Sequence, residues 1–286
     1  MKSGFVAVAG RPNVGKSTLV NAIAGGKVAI VSDKPQTTRR RIAAVANGEE
    51  HQLVLVDLPG FQRPRDALTE RMQRTVDAAL EDVDGILFLL AADERIGAGD
   101  RFIAERVFGR SQPVVIALNK VDRVRPPEIA AKIEEAASLG DFHALHPVSA
   151  RTGEGVAALQ RDLVELLPAG PRYFEEGRLT DMSVEEQVAE LVREQALALT
   201  REEVPHALTV EVAELEDRRV SAILSVETES QKAILVGKGG RMIKDIGTRA
   251  RPEVERLLGG KVFLDLRVKV RPHWRRDERV LERLGI

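Results

Sequence analysis

The chain has 286 residues, 43% hydrophobic and 30% charged, enough apolar material for one large domain plus a smaller one with a well-solvated surface. The net charge of -1 names no partner, but residues 231–286 carry 15 Lys and Arg against 7 Asp and Glu, a net of +8, which leaves -9 on residues 1–230. With no cysteine, a disulfide scaffold, a thiol nucleophile and a thiolate-bound metal are excluded. The longest apolar stretch, residues 86–92, is far short of the roughly 18 residues that suggest a membrane span. The apolar run at residues 5–9 is stopped by Gly10-Arg11-Pro12, so no signal peptide is expected.

Short apolar runs at residues 5–9, 53–56, 86–91, 114–118 and 145–148 predict strands buried on both faces of a mostly parallel sheet. Residues 42–46 predict an edge strand paired with 53–56 through the Asn47-Gly48 turn. Helical patterns fall between them, at 17–24, 69–80, 100–108, 127–139 and 156–167. This order predicts a three-layer α/β domain over residues 1–168. Residues 169–182 contain Pro, Gly and acidic residues without periodicity and read as a linker. Ser183 and Glu186 then form a capping box that opens a helix to about residue 202, with Pro205 ending it. Strand patterns at 208–212, 218–226 and 262–270, with helical segments at 231–236 and 241–257, complete a small α+β domain over residues 183–286.

The run Gly10, Arg11, Pro12, Asn13, Val14, Gly15, Lys16, Ser17 matches G-x-x-x-x-G-K-[ST], with Thr18 beyond it. A strand precedes it and a helix follows, as a phosphate-binding loop requires. Its glycines let backbone N–H groups converge on phosphates, Lys16 supplies a point charge, and Ser17 offers a hydroxyl to Mg²⁺. Asp57-Leu58-Pro59-Gly60 ends the 53–56 strand. There Asp57 would hold Mg²⁺ through water, and the Gly60 N–H would meet the γ-phosphate. Thr37 and Thr38 lie in a polar loop, and one of them, Thr38 by preference, would reach Mg²⁺ when the γ-phosphate is present.

Asn119-Lys120-Val121-Asp122 follows the 114–118 strand. The Asp122 carboxylate can accept from N1–H and the exocyclic amine of guanine, a donor pair that adenine lacks. Lys120 can lay its stem over the base, and Asn119 can tie this loop to the phosphate loop. Ser149-Ala150 follows the last strand and would offer a backbone N–H to guanine O6. These loops fall at the carboxyl ends of strands, where open α/β sheets bind ligands. Toward the C-terminus, Gly237-Lys238-Gly239-Gly240 is a G-x-x-G between two helical segments. Lys238, Arg241 and Lys244 there could neutralise RNA phosphates. Trp274 could stack on a base, but a single aromatic is more often packed.

GRPNVGKST, QTTRRR, DLPG, NKVD, VSA, VGKGG and the ending VKVRPHWRRDER resemble the Era-type GTPases of the TrmE-Era-EngA group, over essentially the whole chain. Leu58 replaces the usual Thr of the third motif, sparing Asp57 and Gly60. The resemblance implies a GTPase domain joined to a type II KH domain. It implies binding of GTP and GDP, contact with 16S rRNA near its 3′ end, and a role in maturing the 30S subunit. A cytoplasmic monomer is expected, with peripheral contact at the inner membrane left open. The alternative is a GTPase switch whose C-terminal domain binds a protein or membrane instead of RNA.

Many GTPases place Gln directly after the D-x-x-G glycine to orient the attacking water. Here that position is Phe61, a switch residue, and Gln62 comes one residue late. The resemblance implies the branch lacking this glutamine, hence slow intrinsic turnover. It makes Asn13 a candidate ligand for a K⁺ ion acting in place of an arginine finger.

Overall fold

The computed structural model describes residues 1–34, 36–61 and 66–286. It divides into two units. The first comprises Met1–Ala29, Thr38–Arg63 and Arg71–Asp181; the second comprises Ile30–Thr37, Pro64–Glu70 and Met182–Ile286.

The first unit is built on β1 (Lys2–Gly10), α1 (Lys16–Ala24), β2 (Ile42–Asn47), β3 (His51–Asp57), α2 (Ala67–Glu81), β4 (Gly85–Ala91), α3 (Ala98–Phe108), β5 (Val114–Asn119), α4 (Pro126–Ala137), β6 (Ala144–Pro147) and α5 (Val156–Leu166). Residues 67–70 of α2 belong to the second unit. The strand order is β2-β3-β1-β4-β5-β6, antiparallel only between β2 and β3. β4 is buried at all seven positions, as the unbroken apolar run required. Helices cover the sheet through a core that includes Phe88, Ile103, Val107 and Ile116, each no more than 1% exposed. Full burial of such side chains contributes about 1.5–3 kcal/mol each. The 169–181 stretch is not a free tether. Ala169 and Thr180 bridge to Lys2 and Ala44, and Gln52 Nε2 donates to the Phe174 carbonyl at 2.9 Å. Loop-like composition concealed this, because the pairing uses backbone atoms.

The second unit contains α6 (Val184–Leu199), α7 (Val204–Ala207), β7 (Thr209–Glu216), β8 (Arg219–Val226), α8 (Glu229–Val236), α9 (Arg241–Leu257), β9 (Phe263–Val270) and α10 (Glu278–Arg283). β8 is central, antiparallel to β7 and parallel to β9. The capping box forms as read: Glu186 N donates to Ser183 Oγ at 3.2 Å and Ser183 N to Glu186 Oε2 at 2.8 Å. Val188, Val192 and Ala196 on α6 and Ile246, Ala250 and Val254 on α9 recur every fourth residue. All six are fully buried, in one core with Val220, Ala222 and Leu224 of β8. The helix stops at Leu199, earlier than expected. Pro205 instead lies in the first turn of the short α7, where its missing N–H costs nothing. α10 was not anticipated. Its N-cap is Asp277, whose Oδ1 accepts from Arg279 N and Val280 N. Trp274 is 1% exposed and donates Nε1–H to the Ala207 carbonyl at 2.7 Å, so it is a core residue and not a stacking platform. No helix among the described residues is long and apolar enough to cross a membrane.

Candidate functional site

The phosphate loop joins β1 to α1, and its shape is held from inside. Lys16 Nζ donates to the carbonyls of Gly10 and Arg11, both at 3.0 Å. Gly15 has a φ of +102°, and a Cβ there would stand 2.2 Å from Asn119 Nδ2, so only glycine fits. Val14 is buried, Pro12 and Asn13 are exposed, and Thr18 is half-buried on α1. Asn13 also has a left-handed backbone, φ +66°. Arg11 turns its side chain onto carboxylates: Nε to Asp100 Oδ1 at 2.7 Å and Nη2 to Glu94 Oε2 at 2.9 Å. Partial burial works against its charge, but the two carboxylates outweigh it and raise the guanidinium pKa above its ordinary value.

Asp57 ends β3 beside this loop and is fully buried. Its Oδ2 accepts from Ser17 Oγ at 3.0 Å and Thr38 Oγ1 at 3.1 Å, and the two hydroxyls lie 3.4 Å apart. Its Oδ1 is buried with no hydrogen-bond partner among the described residues. Two hydroxyls converging on a carboxylate that keeps one bare oxygen suit a hard, oxygen-seeking cation with water ligands, which is what Mg²⁺ requires. Thr37 is directed elsewhere: its Oγ1 donates to the Lys34 carbonyl at 2.6 Å. Burial dominates both ionisable groups. It lowers the Lys16 pKa to about 8 against the pull of Asp57, and raises that of Asp57 against Lys16, Ser17 and Thr38. Gly60 passes so near Pro12 that a Cβ would stand 3.0 Å from the ring. Phe61 is 7% exposed and packs in the core with Leu58, Val76 and Leu80, away from polar chemistry. Gln62 lies outside the described residues.

The base-reading loops meet at Asn119 and Asp122. Asn119 Nδ2 donates to the Val14 carbonyl at 2.8 Å, the tie to the phosphate loop expected from sequence. Its Oδ1 accepts the Ala150 N–H at 2.9 Å, and the Ser149 N–H goes to the Glu154 carbonyl at 2.9 Å. The amides of the Ser149-Ala150 pair, one of which was expected to meet guanine O6, are thus both engaged within the protein. Ser149 Oγ donates to Asp122 Oδ1 at 2.7 Å, and this bond is the chief cause of a lowered Asp122 pKa. Arg151 Nη2 stands 2.8 Å from Asp122 Oδ2, yet off hydrogen-bond geometry, so that buried oxygen keeps its acceptor capacity. Lys120, left-handed at φ +68°, places Nζ 3.3 Å from both Asp93 and Glu94.

In the second unit the G-x-x-G is the turn between α8 and α9. Gly237, Gly239 and Gly240 all have positive φ, and the latter two have nothing within 4 Å of an added Cβ. Lys238, Arg241 and Lys244 are exposed on or beside the turn. Ile234 on α8, 50% exposed, adds an apolar surface that helical periodicity alone did not single out. Sequence reading also missed how this unit holds the segments that flank the nucleotide loops. Glu194 Oε1 accepts Val31 N–H at 2.9 Å, Arg193 donates to the Thr37 carbonyl, and Arg275 pairs with Asp66. Buried charged residues at 193 and 194 on an otherwise apolar helix face were the available signal.

A family of GTPases described as 50S ribosome-binding matches residues 5–120, and the KH domain family matches residues 203–275. The GTPase Era of Carboxydothermus hydrogenoformans is 43% identical over 290 residues, spanning 99% of this chain and 97% of that one. A variant of Aquifex aeolicus Era solved with GDP and AlF₄⁻ superposes with a TM-score of 0.93 at 37% identity, covering 100% of this chain and 99% of that one. Era in complex with MgGDPNP and nucleotides 1506–1542 of 16S ribosomal RNA gives 0.92 at 36% identity, with the same coverage. With the G-x-x-x-x-G-K-S loop, the Asn119-Lys120-Val121-Asp122 run and the G-x-x-G turn on one chain, and this similarity along its whole length, the protein belongs to the Era family of GTPases.

Proposed function

We propose that the chain is a GTP-hydrolysing switch that binds 16S rRNA near its 3′ end and assists maturation of the 30S subunit. The observation carrying this is the pairing of a guanine-nucleotide site with a basic G-x-x-G turn in a single chain. Its support is full-length similarity to a protein solved with both MgGDPNP and that RNA. The functional division we propose is residues 1–168 for the nucleotide, 169–182 as connection and 183–286 for RNA. Ribosomal work places the protein in the cytoplasm, and we propose that it acts there as a monomer.

In this reading residues 10–18 cradle the phosphates and Lys16 faces the β and γ oxygens. Asp122 reads guanine, and Lys120 lies over the base. Ser17, Thr38 and, through water, Asp57 would hold Mg²⁺, which would supply positive charge to the β- and γ-phosphates. Water attacks the γ-phosphorus in line as its bond to the β–γ bridging oxygen breaks and GDP departs, leaving phosphate, while Lys16 and the loop amides stabilise the equatorial oxygens. Phe61, packed in the core, cannot orient that water, and turnover is slow in consequence. Asn13, exposed on the loop with a left-handed backbone, is our candidate ligand for a stimulating K⁺. Equal rates in K⁺ and Na⁺ buffers would remove that role.

RNA phosphates run along the 237–240 turn beside Lys238, Arg241 and Lys244. The test is full-length protein against a short RNA of the 16S 3′ end at two salt concentrations, with and without Gly239→Asp plus Gly240→Asp. Both positions have open space but a left-handed backbone (φ +61° and +77°), so the pair adds backbone strain to charge repulsion, and a melting curve on the same variant separates loss of fold from loss of phosphate contact. Binding that ignores both salt and the substitutions would point to a protein or membrane partner instead. GTP turnover measured with and without 30S subunits then tests the ribosomal role.

A further inference from the structure

Between the phosphate loop and the base loop stands a short acidic segment after β4. Its Glu94 uses both oxygens on different loops: Oε2 lies 2.9 Å from Arg11 Nη2 and Oε1 lies 3.3 Å from Lys120 Nζ. Around this bridge the remaining charges are also paired. Asp93 takes Lys120 at 3.3 Å and Arg123 at 3.0 Å. Asp100, 1% exposed, takes Arg11 Nε at 2.7 Å and the Gly97 N–H at 2.9 Å. Asp100 is thus an anchor that caps α3 and fixes the Arg11 stem. Glu94 is different, because its side chain is 40% exposed. A carboxylate beside a polyanion site is unfavourable by itself. Its presence is accounted for by what its two oxygens hold.

We propose that Glu94 is a positioning residue for guanine nucleotides, clamping the Lys120 side chain to the phosphate-loop residue Arg11 so that the base-covering and phosphate-binding loops are held in register. The inference rests on the guanine-nucleotide reading above. A free lysine stem loses rotamer entropy when it is laid along a base. Lys120 held in advance by Glu94 and Asp93 loses less on binding. Glu94 touches neither Lys16 nor Asp57, so chemistry on the γ-phosphate is left alone.

The test is release of a fluorescent GDP analogue, with KM and kcat for GTP, in the full-length protein and in Glu94→Gln. Since Glu94 is partly solvated, the expected effect is modest: about three- to five-fold faster release and a matching rise in KM, with kcat within about two-fold. The difference should shrink at high salt, because screening weakens the bridge in both loops. Glu94→Asp keeps the charge but shortens the reach, and should fall between the two. Release from Glu94→Gln equal to wild type, or a fall in kcat without a change in KM, overturns the assignment. Should Glu94→Gln not fold, Glu94→Asp indistinguishable from wild type overturns it as well. Wild-type protein that fails to bind GDP at all would instead overturn the guanine-nucleotide reading beneath it.

Discussion

Lys16 offers the sharpest test of the electrostatics in the phosphate loop. Its ammonium group is buried on two backbone carbonyls, and its pKa falls from 10.5 to about 8. A shift of that size corresponds to about 3 kcal/mol lost by the charged form. Phosphate oxygens around Nζ would favour the charged form and return the pKa toward its ordinary value. The sign follows. Affinity for GDP is full below pH 8 and falls as pH rises through 8, because a proton must then be taken up on binding. At pH 8 about half a proton should be absorbed, and at about pH 8.5 affinity should be roughly four-fold weaker than at about pH 7. Calorimetry at pH 8 in two buffers of different ionisation enthalpy measures the uptake directly. Lys16→Arg, whose guanidinium does not titrate there, provides the baseline for other groups. No difference in proton uptake between wild type and Lys16→Arg would show that Lys16 is already fully charged, and that burial does not govern this ammonium group. The same depression has a stability consequence of the opposite sign. The protein should gain stability between pH 8 and about 10.5, where the unfolded lysine binds a proton that the folded one has lost.

Gly15→Ala should abolish tight GDP binding: it combines a positive φ, which costs about 1–2 kcal/mol for a residue with a Cβ, with a contact that pushes Asn119 off Val14. Nucleotide titration together with a melting curve checks it, and near-wild-type affinity would contradict the clamp. Trp274→Phe should destabilise the second unit by about 1–3 kcal/mol, because the Ala207 carbonyl loses its indole donor in a buried setting. Denaturant unfolding followed on that unit reads the change. Arg193→Met keeps the apolar stem but removes the donor to the Thr37 carbonyl. Hydrogen exchange in residues 31–37 should accelerate by about ten-fold, equivalent to roughly 1.4 kcal/mol of lost local stability. Unchanged exchange would show that Glu194 alone holds the segment.

Much of the site could be read without coordinates because its chemistry is local. A phosphate loop works through consecutive backbone amides, so Gly10 to Ser17 carry their meaning in their spacing. Buried parallel strands leave unbroken apolar runs, and β4 and β5 could be located from these alone. Asn119 and Asp122 were legible for a similar reason: each follows directly on a strand end. Elements set by packing were harder. α10 depends on the Asp277 cap and on Leu281, which is fully buried, and its six residues are too few to show a period. The pairing of residues 169–181 uses main-chain groups that any composition supplies.

The sequence by itself determined the nucleotide, the phosphate chemistry and the order in which α6, β7, β8, α8, α9 and β9 follow one another, because these rest on motifs and periodicities within a few residues. Only the tertiary structure decided which hydroxyl stands at Asp57, Thr38 and not Thr37, and where the amides of Ser149 and Ala150 are engaged. It alone brought Glu94 between Arg11 and Lys120, residues 83 and 26 positions away. Such contacts depend on how loops from different strands converge at one sheet edge. Charge pairing over that separation leaves no trace in the spacing along the chain.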